Sequence, residues 1–207
     1  MFISHQPFLI ILSSPSGAGK STLSRMIIQN DPLIKLSISA TTRAKRPQEV
    51  EGQHYYFVSA AEFGEMVKNG DFLEHAKVFD YHYGTPRKMV EDALKKGNEV
   101  MFDIDWQGAR QVKEKFSNAS IVSIFILPPS LAELERRLRN RASDAEDVVQ
   151  DRMKKARDEI SHYSEYDYVL INDDLNSTYH KIRSIIEAKR VERLSKQQID
   201  NLVQQFN

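Results

Sequence analysis

A glycine-rich stretch around residue 20 combines the residue types that hold phosphate groups. It reads Ser14-Pro15-Ser16-Gly17-Ala18-Gly19-Lys20-Ser21-Thr22. Its glycines let backbone N–H groups turn into one concavity, a following helix N-terminus adds a positive dipole, and Lys20 adds a cation for the outer phosphates. Ser21 offers a hydroxyl to a nucleotide-bound Mg²⁺. The stretch matches the P-loop pattern G-x-x-x-x-G-K-[ST] except at Ser14, and it predicts a nucleoside triphosphate site rather than a solvated Gly/Ser loop.

A second group of polar residues suits the phosphate of another ligand. Arg43 and Arg46 lie three residues apart in a polar loop, and two guanidinium forks at this spacing fit one phosphate. Tyr55 and Tyr83 add phenolic hydroxyls in the same part of the chain. The sequence has no Asn-Lys-x-Asp motif, which GTPases that read guanine with that loop contain. The two groups together indicate a triphosphate and a second, phosphorylated substrate.

The elements that must position these groups alternate between strands and helices. Apolar runs predict strands that begin at Phe8, Leu33, Glu99, Ile121 and Tyr168. This alternation predicts a parallel α/β sheet with its chemistry at the carboxyl ends of the strands, where Asp103 and Asp105 are expected. Residues from about 40 to 85 interrupt the alternation, and we expect them to form an inserted α+β lobe over the site.

Several local patterns set the expected ends of elements. Ser59 to Glu62 forms a capping box, and Thr85-Pro86 is typical of an N-cap followed by proline at the first helical position. The strand that begins at Leu33 is expected to continue to Ala40. The charged tail from Ala188 to Asn207 leaves two alternatives open, an intersubunit helix of a homo-oligomer or a frayed end.

Composition excludes several classes of protein. The 207 residues contain 29 acidic and 29 basic side chains, so the charge balance gives no reason to expect nucleic acid or an anionic membrane as a partner. The chain has no cysteine for disulfide or thiolate chemistry, and no apolar run long enough to span a bilayer. Because the first residues lack the pattern of a signal peptide, we expect a cytoplasmic protein.

Several well-spaced motifs together resemble the guanylate kinase family, and in particular its bacterial members. They are Ser14 to Thr22, Thr41-Thr42-Arg43 with Arg46, Glu49 with Gly52 to Tyr55, Phe72-Leu73-Glu74, Tyr83-Gly84-Thr85, Asp103 to Gly108 and Asn172-Asp173-Asp174. The resemblance extends from Phe8 to about Arg190. It implies a P-loop NTPase core with a parallel five-stranded sheet, an inserted α+β GMP-binding lobe and a helical lid. It places the core at about 1–38, 86–130 and 164–207, the lobe at about 39–85 and the lid at about 131–163.

The resemblance also implies a reaction and the residues that perform it. The family transfers the γ-phosphate of ATP to GMP with Mg²⁺ and forms ADP and GDP. The implied catalytic residues are Lys20, Arg43, Arg137, Arg141 and Arg152. Those implied for ATP are Ser14, Pro15, Ser16, Gly17, Ala18, Gly19, Lys20, Ser21, Thr22, Asn172 and Asp173. Those implied for GMP are Ser39, Arg43, Arg46, Tyr55, Glu74, Tyr83, Thr85 and Asp105, and those for the metal are Ser21 and Asp103.

The chemistry of guanine agrees with these assignments. Its N1–H and N2–H₂ groups are donors beside the O6 acceptor, so a selective pocket needs a carboxylate for the donors and a hydroxyl or N–H for O6. The resemblance gives the first role to Glu74 and Asp105 and the second to Thr85. Of the two aspartates at the end of the strand, Asp103 is favoured to act through Mg²⁺, and the division of tasks between them stays open.

Each of these residues has an alternative role. Thr85 could serve only as an N-cap, Tyr55 and Tyr83 as strand aromatics, and Glu74 as a solvated residue of an edge strand. Asn172 and Asp173 could serve only to form a turn, because an Asn-Asp pair is common in turns that follow a strand. For the whole chain, two alternatives stay open: a related kinase of another phosphorylated acceptor, such as a ribose phosphate, and a non-catalytic guanylate-kinase-like binding module.

Overall fold

The computed structural model describes residues 5–78, 80–116, 120–141 and 146–206, with side chains described in these ranges except at 140, 141 and 146–148. The strands are β1 (Leu9–Ser13), β2 (Ile34–Leu36), β3 (Ala40–Thr41), β4 (Tyr56–Phe57), β5 (Phe72–Val78), β6 (Tyr81–Pro86), β7 (Glu99–Asp103), β8 (Ile121–Leu127) and β9 (Tyr168–Ile171). The helices are α1 (Lys20–Asn30), α2 (Ala60–Lys68), α3 (Arg87–Lys95), α4 (Trp106–Lys115), α5 (Leu131–Arg141), α6 (Glu146–Ser161), α7 (Leu175–Glu192) and α8 (Lys196–Val203). Short 3₁₀ turns lie at Tyr163–Glu165 and Gln204–Phe206.

The larger sheet has five strands in the order β2-β7-β1-β8-β9. All of its pairings are parallel, and Leu9 of the central strand β1 lies opposite Val100 of β7 and Ile121 of β8. Every residue of β1 is buried, as expected when helices cover both faces of a parallel sheet. The predicted α/β class and the parallel five-stranded sheet are confirmed.

Alternate side chains of β1 enter two apolar cores, one on each face of the sheet. Ile10 packs in a cluster with Leu23 of α1 and Ile182 of α7. Ile11 packs in the other cluster with Val112 of α4. This two-residue alternation fixes α1 and α4 on opposite faces, and both helices begin just beyond the carboxyl ends of their strands.

A second, smaller sheet is formed by residues between 40 and 86. Its strand order is β4-β3-β6-β5, and Phe63 of α2 packs with Ala40 and Phe72 to form its small core. The capping box predicted at Ser59 is present. The Glu62 N–H donates to Ser59 Oγ at 3.1 Å, and the Ser59 N–H donates to Glu62 Oε2 at 2.7 Å. This part of the chain therefore has the α+β composition that the sequence pattern indicates.

Two local predictions were wrong. The segment expected to be one strand from Leu33 to Ala40 divides, because β2 ends at Leu36 and Ala40 begins β3 in the other sheet. An apolar run indicates burial but does not reveal which sheet the segment joins. Thr85 is not the N-cap of α3: it lies in β6, and its hydroxyl donates to Glu74 Oε1 at 2.6 Å, while Pro86 occupies the capping position.

Helices α5 and α6 pack against each other through a small apolar core of their own. Its buried side chains are Leu134, Leu138, Val149, Met153 and Ala156. The two helices precede β9, and a backbone N–H of the P-loop contacts a carboxylate near the end of α6. Within the ranges that the structure describes, none of the helices has an apolar stretch long enough to cross a membrane.

Buried ion pairs fasten α7 to the sheet at the end opposite the P-loop. Glu99, fully buried at the start of β7, accepts hydrogen bonds from Arg190 Nε at 2.8 Å and Arg190 Nη2 at 2.5 Å. Arg190 also lies 2.8 Å from Asp31, which accepts a further hydrogen bond from Arg183 at 2.6 Å. The hydrogen bonds with Glu99 raise the pKa of Arg190 above its ordinary value. These contacts indicate a structural role for the cluster.

Replacing Arg190 by methionine is expected to lower the free energy of unfolding by about 3 to 5 kcal/mol, because Glu99 and Asp31 would stay buried without this partner. Urea titration followed by circular dichroism measures the change. Arg87→Met is the control, since Arg87 forms an exposed pair with Glu91 at 4.0 Å and its loss should change the value by less than about 1 kcal/mol. Equal effects of the two substitutions would contradict a stabilising role for the buried cluster.

Candidate active site

The P-loop connects β1 to α1 and adopts the backbone that its glycines permit. Gly17 and Gly19 have φ angles of 94° and 102°, in the left-handed region. A Cβ on Gly19 would also lie 2.4 Å from Asn172 Nδ2, which donates to the Ala18 carbonyl at 2.8 Å. Asn172 follows β9, so this hydrogen bond ties the loop to the neighbouring end of the sheet. Only glycine satisfies both constraints at position 19.

Opposite charges meet at the P-loop. Lys20, the first residue of α1, forms an ion pair with Asp103 at the end of β7. Burial lowers the pKa of Lys20 to about 8, although Glu159 and Asp105 act in the opposite direction. The Ser16 N–H donates to Glu159 Oε2 at 3.1 Å, and burial raises the pKa of Glu159 above its ordinary value. A carboxylate oxygen thus accepts a hydrogen bond from a P-loop N–H group, and N–H groups of this kind can also donate to phosphate oxygens.

A cavity of about 300 Å³ joins the P-loop to the second sheet. Many of the predicted site residues line it together, namely Ser14, Pro15, Ser16, Gly17, Gly19, Lys20, Ser21, Ser39, Tyr55, Glu74, Tyr83, Asp103 and Asp105. The wall also contains Ala76, Val78, Ile104 and Glu159, to which the sequence analysis assigns no role in the site. The fold therefore brings residues predicted for two different phosphorylated ligands to one cavity, whereas Arg43, Arg46 and Thr85 are not part of this wall.

A buried carboxylate lies in the wall formed by the second sheet. Glu74 is 3% exposed, so the alternative of a solvated edge residue is excluded. The Thr85 hydroxyl donates to Glu74 Oε1 at 2.6 Å, and Ser39 Oγ lies 3.4 Å from Thr85 Oγ1. Burial raises the pKa of Glu74 to about 7, and the negative charge of Asp105 adds to this effect. The second oxygen of Glu74 packs against the backbone at Gly108, where a Cβ would lie 2.6 Å away.

Asp105 forms the N-cap of α4. Its Oδ1 accepts from the Gly108 N–H at 2.9 Å, and its Oδ2 accepts from Gln107 Nε2 at 3.1 Å. Asp105 lines the cavity together with Glu74, so it adds a second carboxylate there. The two carboxylates therefore differ in environment, with Glu74 desolvated and Asp105 held by donors.

The predicted phosphate-binding residues form an aromatic and cationic group. The Arg43 guanidinium lies 5.4 Å from the centre of the Tyr55 ring, and the Tyr55 and Tyr83 rings meet edge to face at 5.8 Å. Arg43 Nη2 pairs with Glu49 Oε1 at 2.6 Å, and the backbone N–H of Arg46 donates to Glu49 Oε2 at 2.8 Å. Glu49 thus holds this loop together. The Arg46 side chain is exposed.

The predicted lid residues lie outside the cavity wall among the residues that the structure describes. Arg137 pairs with Glu133 at 2.7 Å and reaches the Asn172 carbonyl at 3.5 Å. Arg152 is half-buried on α6, and the side chain of Arg141 lies outside the described residues.

The Asp173 carboxylate accepts the N–H of the following residue at 2.8 Å, as in a turn. Ala18 is fully buried within the P-loop, and Thr22 lies in the first turn of α1.

For some of the additional wall residues, the sequence contains a pattern that predicts their position in the site. Ala76 and Val78 follow Glu74 at two-residue spacing, so strand alternation places them on the same face of β5. Glu159 had no such signal, because it lies among mixed charges on the polar side of α6 and meets Ser16 across 143 positions of sequence. Its contact becomes visible only in the folded chain.

Known proteins resemble this chain over nearly its whole length. A family model described as guanylate kinase matches residues 6–189. Guanylate kinase of Rickettsia bellii is 55% identical over 185 residues, which cover 89% of this chain and 96% of that protein. Guanylate kinase of Rhodopseudomonas palustris is 50% identical over 204 residues, with 99% and 92% covered. The crystal structure of guanylate kinase from Anaplasma phagocytophilum matches with a TM-score of 0.79 and 38% identity, covering 95% and 94% of the two chains. The chain therefore belongs to the guanylate kinase family.

Proposed function

We propose that this chain transfers the γ-phosphate of ATP to GMP, forming ADP and GDP, through the residues that line its cavity. Membership of the guanylate kinase family supports the reaction. The observation that supports the site is the cavity itself, because it joins a P-loop to Glu74, whose carboxylate accepts from the buried Thr85 hydroxyl. One ligand can then place its triphosphate at the loop while another places a base against the carboxylate.

Guanine would be read by Glu74, Asp105 and Thr85. The ionised Glu74 carboxylate would accept from N1–H and N2–H₂, and Asp105 would add a second acceptor. The Thr85 hydroxyl, which donates to Glu74 in this structure, would turn to donate to O6. Adenine presents an acceptor at N1 and a donor at its 6-amino group, so it would leave these groups unpaired. A buried polar site of this kind disfavours the wrong base strongly, by about four orders of magnitude in favourable cases.

The phosphate of GMP would lie among Ser39, Arg43, Arg46, Tyr55 and Tyr83. Phenolic hydroxyls and guanidinium forks are suitable donors for a dianionic monoester. Arg43 is held by Glu49 and packs on Tyr55, so its guanidinium is already oriented beside the aromatic pair. We assign residues 39–85 to a GMP-binding lobe, with the core at 1–38, 86–130 and 164–207.

ATP would bind with its phosphates on the P-loop and its base near Asn172 and Asp173. Ser21 and Asp103 supply a hydroxyl and a carboxylate next to Lys20 in the cavity, and such oxygen donors fit Mg²⁺ that is held mainly by nucleotide phosphates. When bound, the metal would neutralise charge on the β- and γ-phosphates. Lys20 would orient the γ-phosphate, and the glycine backbone would hold the β-phosphate.

Transfer requires alignment and charge neutralisation rather than a protein nucleophile. We assign residues 131–163 to a lid whose Arg137, Arg141 and Arg152 approach the phosphates when α5 and α6 close, which would also exclude water from the reacting group. Arg137 would then exchange its pairing with Glu133 for phosphate oxygens. The activity belongs to nucleotide metabolism, and we propose a cytoplasmic location without a nucleic acid or membrane partner.

An assay of ADP release from ATP with GMP, AMP, CMP and UMP tests the proposed function. GMP is expected to be used at least about a thousandfold more efficiently than AMP, because AMP leaves the buried carboxylate unpaired. ADP release with a ribose phosphate as acceptor, but with none of the four nucleoside monophosphates, would favour a kinase of another acceptor. Binding of GMP without ADP release, with intact ATP binding, would favour a non-catalytic binding module.

A further inference from the structure

The strand that contains Glu74 is irregular next to that residue and lies at the edge of its sheet. β5 is an end strand of the second sheet, so within the described part of the chain one of its sides faces no neighbouring strand. Phe72 lies opposite Pro86 and Glu74 lies opposite Thr85, so Leu73 is an extra residue in β5. A bulge of this kind bends a strand and changes the direction of its side chains. Contacts from outside the sheet are then needed to fix the backbone around Glu74.

Helix α4 makes those contacts. The side-chain amide of Gln111 accepts the His75 N–H at 3.1 Å and donates to the His75 carbonyl at 2.7 Å. The ammonium of Lys115 donates to the Leu73 carbonyl. These backbone groups flank Glu74 on both sides. The Gln111 amide therefore takes the place of a peptide group in a neighbouring strand, because it pairs with both polar backbone atoms of one residue.

The same face of α4 also meets the Glu74 carboxylate. Gly108 leaves the space that one carboxylate oxygen fills, and Gly108, Gln111 and Lys115 follow one another at spacings of three and four residues, which place them on one helix face. The adjoining face of α4 is fixed, because Val112 is fully buried in the core beneath the larger sheet. Helix α4 thus connects the rigid core to the strand that presents Glu74.

We propose that Gln111 is a positioning residue for base recognition, which acts through the backbone of His75 to keep Glu74 aimed at the donor edge of guanine. The proposal rests on the proposed function, in which Glu74 reads guanine. Alignment matters because one carboxylate must meet two donors of the base at once, and a small rotation of β5 would lose one of them. Lys115 is exposed and binds a single carbonyl, so its contribution is smaller.

Gln111→Met tests the proposal, since it keeps the length of the side chain and removes both hydrogen bonds to His75. We expect KM for GMP to rise roughly tenfold, as the loss of two hydrogen bonds implies, with KM for ATP changed by less than about twofold. The preference for GMP over IMP, which lacks the 2-amino donor, is expected to fall by a similar factor. Gln111→Glu keeps the acceptor but not the donor and should give an intermediate result. Glu114→Met, at an exposed position of the same helix, is the control.

A double substitution separates positioning from general stability. In a Glu74→Gln background, adding Gln111→Met is expected to leave the GMP-to-IMP preference unchanged, because no carboxylate remains to be aimed. An unchanged KM for GMP in Gln111→Met, or a full further loss of preference in the double variant, would overturn the proposal. Equal losses with GMP and IMP together with a lower thermal midpoint would also overturn it. Absence of GMP phosphorylation by the unsubstituted protein would instead overturn the proposed function.

Discussion

Replacing Lys20 by methionine is expected to slow phosphoryl transfer by at least about a thousandfold while GMP still binds. Lys20 begins α1, lines the cavity and faces Asp103. In the transition state of the transfer, negative charge spreads over the oxygens of the γ-phosphoryl group. Methionine keeps the reach of the side chain but removes the cation, so the variant loses a charge interaction that strengthens as the reaction proceeds.

The measurement is ADP formation at saturating ATP and GMP, together with a titration of GMP in the absence of ATP. GMP is expected to bind as in the unsubstituted protein, because its proposed contacts lie in the second sheet and at the start of α4. Lys35→Met is the control, since Lys35 is an exposed lysine on β2. Unchanged turnover would exclude Lys20 from the transfer step. Loss of GMP binding would show that the substitution disturbs the whole cavity.

The pKa of Lys20 adds a pH signature to this prediction. Burial lowers it to about 8, so Lys20 in the free enzyme loses its proton as the pH rises through that value. The ratio kcat/KM for ATP reports on ionisations of the free enzyme. It is therefore expected to fall above pH 8 in the unsubstituted protein and to show no such fall in Lys20→Met. Identical profiles for the two proteins would assign the fall to another group.

The parts of the site that the sequence predicts well are those whose chemistry is local. The P-loop pattern lies within nine consecutive residues, Ser14 to Thr22, and Gly17 and Gly19 have the positive φ angles that such a loop requires. The capping box at Ser59 is equally local. The apolar runs predict the parallel sheet because each run indicates a buried strand on its own. In these cases, neighbours in sequence determine the structure.

Contacts between distant residues explain most of what the sequence could not provide. Glu159 meets the P-loop and Gln111 meets β5, but periodicity reveals only which face of a helix is apolar, not which polar residue contacts a remote loop. Thr85 shows the same limit, because Thr-Pro is a good local signal for a helix start. The hydrogen bond from its hydroxyl to Glu74 shows that tertiary contact prevails over this signal.

Replacing Glu74 by glutamine is expected to raise KM for GMP by roughly a hundredfold or more and KM for ATP by less than about threefold. The amide has nearly the shape of the carboxylate and can still accept from Thr85. Its NH₂ group, however, would face the N1–H and N2–H₂ donors of guanine. Steady-state kinetics with each nucleotide varied in turn measure the two constants. Equal increases for both nucleotides would remove Glu74 from base recognition.

The same substitution is expected to stabilise the protein without ligand at high pH. Burial raises the pKa of Glu74 from an ordinary value of 4.5 to about 7. A raised pKa in the folded state means that the stabilising effect of the bound proton is complete below pH 4.5 and is lost as the pH rises through 7. Glutamine has no proton to lose. The free energy of unfolding of Glu74→Gln relative to the unsubstituted protein should therefore increase between pH 4.5 and pH 8, by up to about 3 kcal/mol.

The catalytic efficiency with GMP should change with pH in the opposite direction to the stability. Guanine needs the ionised carboxylate as an acceptor, so kcat/KM for GMP is expected to rise as the pH increases through about 7, in the range where Glu74 loses its proton. The phosphate of GMP titrates in a similar range but does so with either protein, so the part of the rise that disappears in Glu74→Gln belongs to Glu74. The carboxylate that we propose to recognise guanine thus destabilises the protein without ligand at neutral pH, a trade-off between stability and activity that is common in binding sites. A rise of the same size in both proteins, with no pH-dependent difference in unfolding, would contradict this account.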